Sequence, residues 1–526
     1  MSTSKPTGTH RDALDLFKGL LFNILGMLLK LGKVLFVYVA VHFYSPSALG
    51  LYFIGWNVVD MLSKLGLWGS DKLVVREIAR LRGSDSPQQN RELGSIIAYA
   101  AWKSALLSMG VAALIFVLSP WVANHIFSDP NLIVPLRLLA LATPFIVLTL
   151  VFIATTKALR LMQYEAFIRQ GLEPAMLLVA TVALIPFHLD ATGLALAHLT
   201  ASIIACSAAF SVMLKKFALQ KGGKPTLPPA VRKKYWAYTT PIAATDFVNL
   251  AVARSDVLLV GAFLNATSAG YYGIAVEIIS VIKRIRQSFE PIFAPIVAEL
   301  FHSGQQNRLK RNYQIVTRWL LAGSFLPAVV IILFAEPILS FFNVSSVPTV
   351  WALRILALAH GLFGTFSAAE SLLVMTGRSL LNFLLGSAML VLNVTLGLLL
   401  IPRIGLVGAA LSTLAAFLFV SFARIYQGYR LMHLTPFGRR LVWPLATAML
   451  TSLVVWGAKF FLPGTSPIQI GMLFLLTVLL YLGLYFSGAR MPEELFLRDK
   501  ILAQWRRLST RVVGKNREFK NAEVQK

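Results

Sequence analysis

The sequence predicts an all-α integral membrane protein with about fourteen transmembrane helices. Apolar residues make up 57% of the 526-residue chain, charged residues only 14%, and the mean hydropathy is +0.70. Soluble domains average about 45–50% apolar and about 25% charged residues. The composition therefore excludes an ordinary soluble enzyme and a disordered chain.

The predicted helices follow from the apolar segments, because a membrane-spanning helix needs about 20 mostly apolar residues. The segments cover residues 19–43, 49–66, 94–119, 132–154, 165–187, 191–213, 239–263, 270–286, 315–335, 347–374, 379–401, 405–427, 441–462 and 467–487. The first is too long for the core of a signal peptide, so we expect it to be a retained span.

The basic residues predict the orientation. The formal net charge is +26, and the lysines and arginines concentrate in alternate connections between the apolar segments. The other connections contain one clear basic residue, Arg403. By the positive-inside rule both termini are cytoplasmic, which requires an even number of spans. This distribution explains the charge without nucleic acid, and we expect no nucleic-acid partner.

The chain also resembles itself at an offset of about 220 residues. The heptapeptide at 136–142 recurs with conservative changes at 353–359, and the segment 48–52 has a counterpart at 268–272. Two parallel repeats in a membrane protein are typical of transporters whose substrate binds between the halves. The predicted organisation is a cytoplasmic N-terminus at 1–18, an N-lobe at 19–214, a linker at 215–238, a C-lobe at 239–430, two further helices at 441–487 and a basic cytoplasmic tail at 488–526.

Three passages carry a resemblance to a known family. They are the segment 254–275, which contains Arg-Ser-Asp and Ala-Gly-Tyr-Tyr-Gly, the segment 66–76, and the segment 392–410, which contains Ile-Pro-Arg-Ile-Gly. The chain resembles the polysaccharide flippases, including O-antigen flippases, of the multidrug/oligosaccharidyl-lipid/polysaccharide (MOP) exporter superfamily. The resemblance extends over about residues 15–430 and includes the two-lobe architecture.

The resemblance implies two pseudo-symmetric six-helix lobes in a V-shaped arrangement, with two C-terminal helices added. It implies alternating-access export of an undecaprenyl-diphosphate-linked oligosaccharide across the cell inner membrane, and no enzymatic activity. The expected partners are this lipid-linked oligosaccharide, membrane lipids and glycan polymerase or assembly proteins, and the expected state is a monomer. A lipid II flippase, a multidrug or cation antiporter, and a membrane glycan polymerase or ligase remain alternatives.

Basic residues within the predicted spans are candidates for binding a diphosphate, because ionisable groups at membrane depth usually face a wet cavity or a partner. The candidates are Lys30, Lys33, Lys103, Arg254, Lys283, Arg284 and Arg286. Lys30 and Lys33 share one helix face because they are three residues apart. Charge-assisted hydrogen bonds offset the desolvation of a phosphate group. Alternatively, the three basic residues at 283–286 and Lys33 extend to lipid headgroups.

Four acidic residues also fall within the predicted spans. Asp60, Asp246, Asp256 and Glu277 are candidates for ion coupling or for pairing with the basic residues. Arg254, for example, has Asp256 and Glu277 as possible structural partners. Seven bases against four acids leave the predicted cavity net positive, which argues against a cation antiporter.

The sequence predicts no cofactor. It contains no P-loop motif and no His-Glu-x-x-His motif, and its one cysteine, Cys206, lies in an apolar run. Transport is therefore expected to use the membrane potential or a gradient of H⁺ or Na⁺, and no metal site is expected.

Overall fold

The computed structural model describes residues 31–81, 87–159, 161–216, 227–461 and 466–488. Within these ranges the chain is almost wholly helical and contains no strand. The predicted N-terminus, the first part of the first predicted span with Lys30, residues 217–226 of the predicted linker, and the predicted tail apart from Gly488 lie outside the described residues.

The described residues of the first half of the chain form eight helices. They are α1 (Leu31–Phe43), α2 (Pro46–Leu67), α3 (Ser70–Leu81), α4 (Pro87–Trp121), α5 (Ile133–Ala158), α6 (Gln163–Phe187), α7 (Asp190–Lys216) and α8 (Pro229–Phe263). The second half forms α9 (Ala266–His302), α10 (Gln306–Leu333), α11 (Ala335–Phe341), α12 (Val347–Phe366), α13 (Ala368–Met375), α14 (Ser379–Met432), α15 (Val442–Phe461) and α16 (Pro467–Ser487).

The helices coincide with the predicted apolar segments, and the all-α membrane fold is confirmed. Eight described helices are long and apolar enough to cross a membrane. One of them, α14, contains two predicted spans and breaks at Ile404 and Gly405. Gly405 adopts a φ of +62° there, which residues with a side chain rarely adopt. The total of fourteen membrane crossings stays a prediction.

Two helices are longer than the apolar pattern indicated. Helix α8 begins at Pro229, ten residues before the predicted span, and α9 continues to His302 rather than ending near residue 286. The α8 extension contains three adjacent bases, Arg232, Lys233 and Lys234, and a hydropathy pattern detects only the apolar part of a helix. The α9 extension is mostly apolar, and the predicted span stopped before it because of the bases at 283–286.

Local sequence explains where several helices begin and end. The hydroxyl of Ser45 accepts a hydrogen bond from the backbone N–H of Ala48 (3.0 Å), and Pro46 occupies the first helical position of α2. Ser466 and Pro467 begin α16 in the same way. Both pairs follow the preference for serine at the N-cap and proline at the first turn. Helix α2 ends at Trp68 in a left-handed conformation.

The described chain divides into two compact units. The first comprises the described residues within 1–281, 335–359 and 377–424, and the second comprises those within 282–334, 360–376 and 425–526. The first unit therefore contains helices of both predicted lobes, and the predicted lobe boundaries stay a prediction. In the second unit α15 and α16 pack on α10, where the Tyr481 hydroxyl donates to the carbonyl of Ala322 (2.9 Å).

Candidate functional site

Four charged side chains of the first unit form what we call the central cluster: Lys33, Asp60, Arg254 and Glu277. The Nε and Nη2 atoms of Arg254 both donate to Oδ2 of Asp60, at 3.0 and 2.7 Å. The ammonium of Lys33 lies 2.6 Å from Oε1 of Glu277. These pairs connect α1 and α2 to α9 and α8, so each of them joins helices distant in sequence.

The central cluster is neither fully buried nor freely solvated. The side chains of Arg254 and Asp60 expose 20% and 17% of their surface, and those of Lys33 and Glu277 are also partly exposed. Charged pairs at membrane depth are costly unless they contact partners or a water-filled cavity. The residual exposure means that these bases are not sealed within the protein interior.

Three further charges lie around this cluster. Lys64 and Arg169 interact electrostatically with Asp60, and Glu173 interacts with Lys33 and Arg169. The Nε atom of Arg169 is 4.0 Å from Oε2 of Glu173. Asp256 and Asp246 also interact electrostatically with Arg254 and Lys64, so the bases around this position are matched by acids.

Arg169 comes from a π-helical stretch of α6, Ala166–Leu172. Such stretches are rare and are frequent at functional sites. Lys64 and Arg169 both lie near the predicted cytoplasmic ends of spans, where basic residues are ordinary. Their positions in the sequence therefore do not mark them as site residues.

Above the central cluster, towards the end of α2 that the sequence places at the outer face, the helices touch through glycines. A side chain added at Gly50 would overlap the backbone of Ala266, and one added at Gly270 would overlap the backbone of Pro46. Gly50 and Gly270 occupy equivalent positions in the two predicted repeats. Only glycine permits this approach of two backbones.

On the other side of the cluster, α3 contacts α8 through a weaker ion pair. The ammonium of Lys72 lies 2.9 Å from Asp71 and 3.5 Å from Asp246, and the Lys72 side chain is half-exposed. Burial lowers the pKa of Lys72, but the two carboxylates outweigh burial and hold that pKa above its ordinary value. We use the name α2–α8/α9 interface for these contacts together: those of Gly50 and Asp60 on α2 with α9 and α8, and the flanking pairs made by Lys33 on α1 and Lys72 on α3. All of them are formed in this structure, so the interface is closed at these points.

Lys103 lies apart from the central cluster. Its ammonium is within 3.5 Å of the carbonyl of Trp68 and 3.3 Å of the Thr239 hydroxyl. It also lies 4.2 Å from the ring centre of Trp236. The side chain therefore reaches the carbonyl end of α2, where the helix dipole favours a cation.

Asp256 belongs to a buried polar network rather than to the Arg254 pair. Its Oδ2 accepts a hydrogen bond from the Tyr272 hydroxyl (3.3 Å). The neighbouring Ser255 donates to Asn393 (3.0 Å), which in turn donates to Thr413 (3.2 Å). The direct contact of Arg254 is with Asp60, whereas Glu277 and Asp256, the partners suggested from the sequence, act on it electrostatically.

The remaining basic candidates, Lys283, Arg284 and Arg286, belong to the second unit. Nη1 of Arg286 lies 3.2 Å from Oε2 of Glu370, and its guanidinium lies over the ring of Phe363. Lys283 and Arg284 are partly exposed near the middle of α9. The structure thus brings Lys33 and Arg254 together with Asp60 and Glu277, whereas Lys30 lies outside the described residues.

Among the residues that the structure describes, no group of three or more His, Cys, Asp or Glu side chains is placed to hold a metal ion.

Comparison with known proteins agrees with this architecture. The structure resembles "Lipid II flippase MurJ, inward closed conformation", with a TM-score of 0.69 and 14% identity over 92% of this chain and 100% of that chain. It also resembles an inward-facing "multidrug resistance MATE family transporter of the MOP superfamily", with a TM-score of 0.64 and 13% identity over 79% of this chain and 98% of that one. A MOP superfamily transporter from Pyrococcus furiosus matches with a TM-score of 0.51 and 14% identity over 78% of this chain and 94% of the other.

No curated protein sequence matches the chain. At these identities the structural likeness shows the fold alone, and that fold is the one the MOP superfamily transporters have. A family model described as "Polysaccharide biosynthesis protein" matches residues 16–298, which is more than half of the chain. The chain therefore belongs to the polysaccharide biosynthesis protein family, and it is a multi-pass membrane protein with the fold of the MOP superfamily transporters.

Proposed function

We propose that the protein flips an undecaprenyl-diphosphate-linked oligosaccharide from the cytoplasmic to the periplasmic leaflet of the inner membrane. The observation that carries this proposal is the central cluster. Its two bases are held by carboxylates across the α2–α8/α9 interface and remain partly exposed. A diphosphate competes with those carboxylates for Lys33 and Arg254.

Competition of this kind links binding to movement. In the closed interface Arg254 contacts Asp60 and Lys33 contacts Glu277. When a diphosphate takes the bases, the ion pairs no longer join α1 and α2 to α8 and α9. A ligand shifts a conformational equilibrium only by its different affinity for the two states. Here that difference is the exchange of a carboxylate for a phosphate partner.

The membrane potential is a sufficient energy source for this export. Moving one charge through 100 mV is worth about 2.3 kcal/mol. A dianionic headgroup moving outward along an inside-negative potential gains about twice that amount. The acids of the central cluster are paired with bases in the closed state, so we propose no separate coupling-ion site.

Lipid II is the second candidate cargo, and one observation favours it. The likeness to the lipid II flippase extends over 92% of this chain, whereas the likeness to the multidrug transporter extends over 79%. Both cargoes carry a diphosphate on a long lipid, so the same bases serve either.

The test is a flipping assay in proteoliposomes that hold a membrane potential. Either an undecaprenyl-diphosphate oligosaccharide or lipid II is placed in one leaflet, and its glycan is detected by an impermeant glycosidase or label. We expect the oligosaccharide to cross at least tenfold faster than in empty liposomes, and Arg254→Gln to abolish the gain. Arg354→Gln is the control because Arg354 pairs with the exposed Glu336. Crossing no faster than in empty liposomes for both cargoes contradicts the proposal.

A further inference from the structure

A groove in the first unit, on the side of α4 and α8, is separate from the central cluster. We call it the lateral groove. It has a volume of about 590 Å³. Its lining consists of Tyr99, Trp102, Lys103, Leu106, Leu107, Leu227, Arg232 and Trp236.

The lining of the lateral groove combines positive charge, aromatic rings and aliphatic side chains. It contains two bases, and none of the described residues that line it is acidic. Lys103 is 3% exposed and contributes its ammonium beside the Trp236 ring, whereas Arg232 is exposed near the first turn of α8. The groove therefore presents two bases and no acid among its described lining residues, which fits an anion.

The apolar residues that line the groove are placed to contact lipid hydrocarbon chains. Trp102 and Leu106 are 54% and 55% exposed, on a helix that is long and apolar enough to span a membrane. Such residues on the outside of a membrane helix contact lipid tails. Tryptophan and tyrosine are the residues enriched at the depth of lipid headgroups, and Tyr99 and Trp236 provide that level here.

We propose that the lateral groove is a binding site for an anionic glycerophospholipid. Its phosphate binds between Lys103 and Arg232, and its acyl chains lie along Trp102, Leu106 and Leu107. Basic pockets on the cytoplasmic side of membrane helices bind anionic headgroups, with about 1 kcal/mol available per basic residue near the surface. Charge complementarity favours this occupant over a zwitterionic lipid, and the hydrocarbon-exposed side of the groove favours it over free phosphate.

The bound lipid also has a structural consequence. Lys103 contacts the carbonyl end of α2, and Trp236 belongs to α8, so the groove adjoins both helices of the α2–α8/α9 interface. A phosphate that binds Lys103 and Arg232 links α4 to the beginning of α8. The lipid is therefore a fixed component on the outside of the transporter rather than a cargo passing through it.

The test is lipid retention by the purified full-length protein, measured by native mass spectrometry after exchange into mixed micelles of phosphatidylglycerol and phosphatidylcholine. We expect one phosphatidylglycerol to be retained in preference to phosphatidylcholine. Arg232→Gln and Lys103→Gln should each weaken its retention about fivefold. Lys233→Gln is the matched control, because Lys233 is adjacent and exposed but does not line the groove.

The proposal would be overturned by equal retention of both lipids, by equal retention of phosphatidylglycerol in Arg232→Gln and Lys233→Gln, or by displacement of phosphatidylglycerol by millimolar inorganic phosphate. Displacement of phosphatidylglycerol by equimolar undecaprenyl phosphate would also overturn it and would make the groove part of the cargo route. Because Arg232 is exposed near the start of α8, Arg232→Gln decides the matter even if Lys103→Gln fails to fold. The measurement needs no transport activity, so it is independent of the proposed cargo.

Discussion

The central cluster and the lateral groove both place basic residues at membrane helices, but they give these residues different partners. In the central cluster each of the two bases contacts a carboxylate at 2.6–3.0 Å. In the lateral groove Lys103 contacts a carbonyl, a hydroxyl and an indole ring. A base paired with a carboxylate binds an anion only by exchange, whereas a base beside neutral groups binds one directly.

This difference teaches which region is expected to move. Exchange at the central cluster releases contacts between α1 or α2 and α8 or α9, so binding there changes the conformation. Binding in the lateral groove adds a contact and releases none. Basic residues are therefore expected to form a site that moves in the central cluster and a permanently occupied site in the lateral groove.

The largest expected effect comes from Gly50→Ala, which acts on the region of the central cluster alone. The added methyl group overlaps the backbone of Ala266, so α2 and α9 have to separate. We expect at least a tenfold loss of flipping, with unchanged retention of phosphatidylglycerol by the lateral groove. Gly110→Ala in α4 is the control, because a side chain added there meets no atom within 4 Å. Normal flipping by Gly50→Ala would show that this contact does not form during transport.

The second effect is the cost of leaving one charge of the central cluster without its partner. Removing one member of a buried pair costs about 3–5 kcal/mol, and partial exposure places Asp60→Asn near the lower end. We expect a lower apparent unfolding temperature in detergent for Asp60→Asn, and recovery of most of that loss in Asp60→Asn/Arg254→Gln. Arg354→Gln, which breaks a more exposed pair, should cost less than about 1 kcal/mol. Absence of recovery in the double variant would mean that Arg254 and Asp60 act independently.

A third variant separates stability from transport. Lys33→Gln/Glu277→Gln removes both charges of one pair, so neither is left alone, and we expect stability within about 1 kcal/mol of the wild type. Flipping should nevertheless fall about tenfold because one of the two diphosphate-binding bases is gone. An unchanged flipping rate in proteoliposomes would assign Lys33 a purely structural role.

The smallest effect concerns Lys72, at the cytoplasmic end of the interface in the predicted topology. Its pKa is raised above the ordinary value, so the stability from its pairing is fully present below about pH 10.4 and is lost as the pH rises through the folded-state value. The difference in unfolding temperature between wild type and Lys72→Gln should therefore be small and constant near neutral pH and should shrink in alkaline solution. A difference that grows with pH would contradict the pairing with Asp71 and Asp246.

The sequence was sufficient to predict the helices, because an apolar segment of this length can be recognised from its own hydropathy, without information about the helices that pack against it. It also predicted the break in α14, since Pro402 and Gly405 interrupt the apolar run there. It was insufficient for the extensions of α8, which is basic, and of α9, which follows the bases at 283–286. Helices in water depend on local propensity and tertiary contacts, which hydropathy does not measure.

The candidate site was predicted in part. Depth along a helix identified Lys33, Arg254, Asp60 and Glu277 as charges within the membrane, but it could not say which acid meets which base. Arg254 and Asp60 are 194 residues apart, so only the fold brings them together. The predicted position of Lys103 within its span also placed it in the same candidate site as Lys33 and Arg254. The flexible lysine side chain extends along the helix to the end of α2, and its Cα position does not reveal that direction.

The central claim is that the α2–α8/α9 interface must open at the central cluster during transport. It is tested most directly by replacing Lys33 and Glu277 with cysteine in a Cys206→Ser background and joining them with a short reducible bifunctional thiol reagent. We predict that the cross-linked protein does not flip the lipid-linked oligosaccharide in proteoliposomes and that reduction restores the rate of the uncross-linked double variant. Flipping at an unchanged rate while the cross-link is intact would contradict the account.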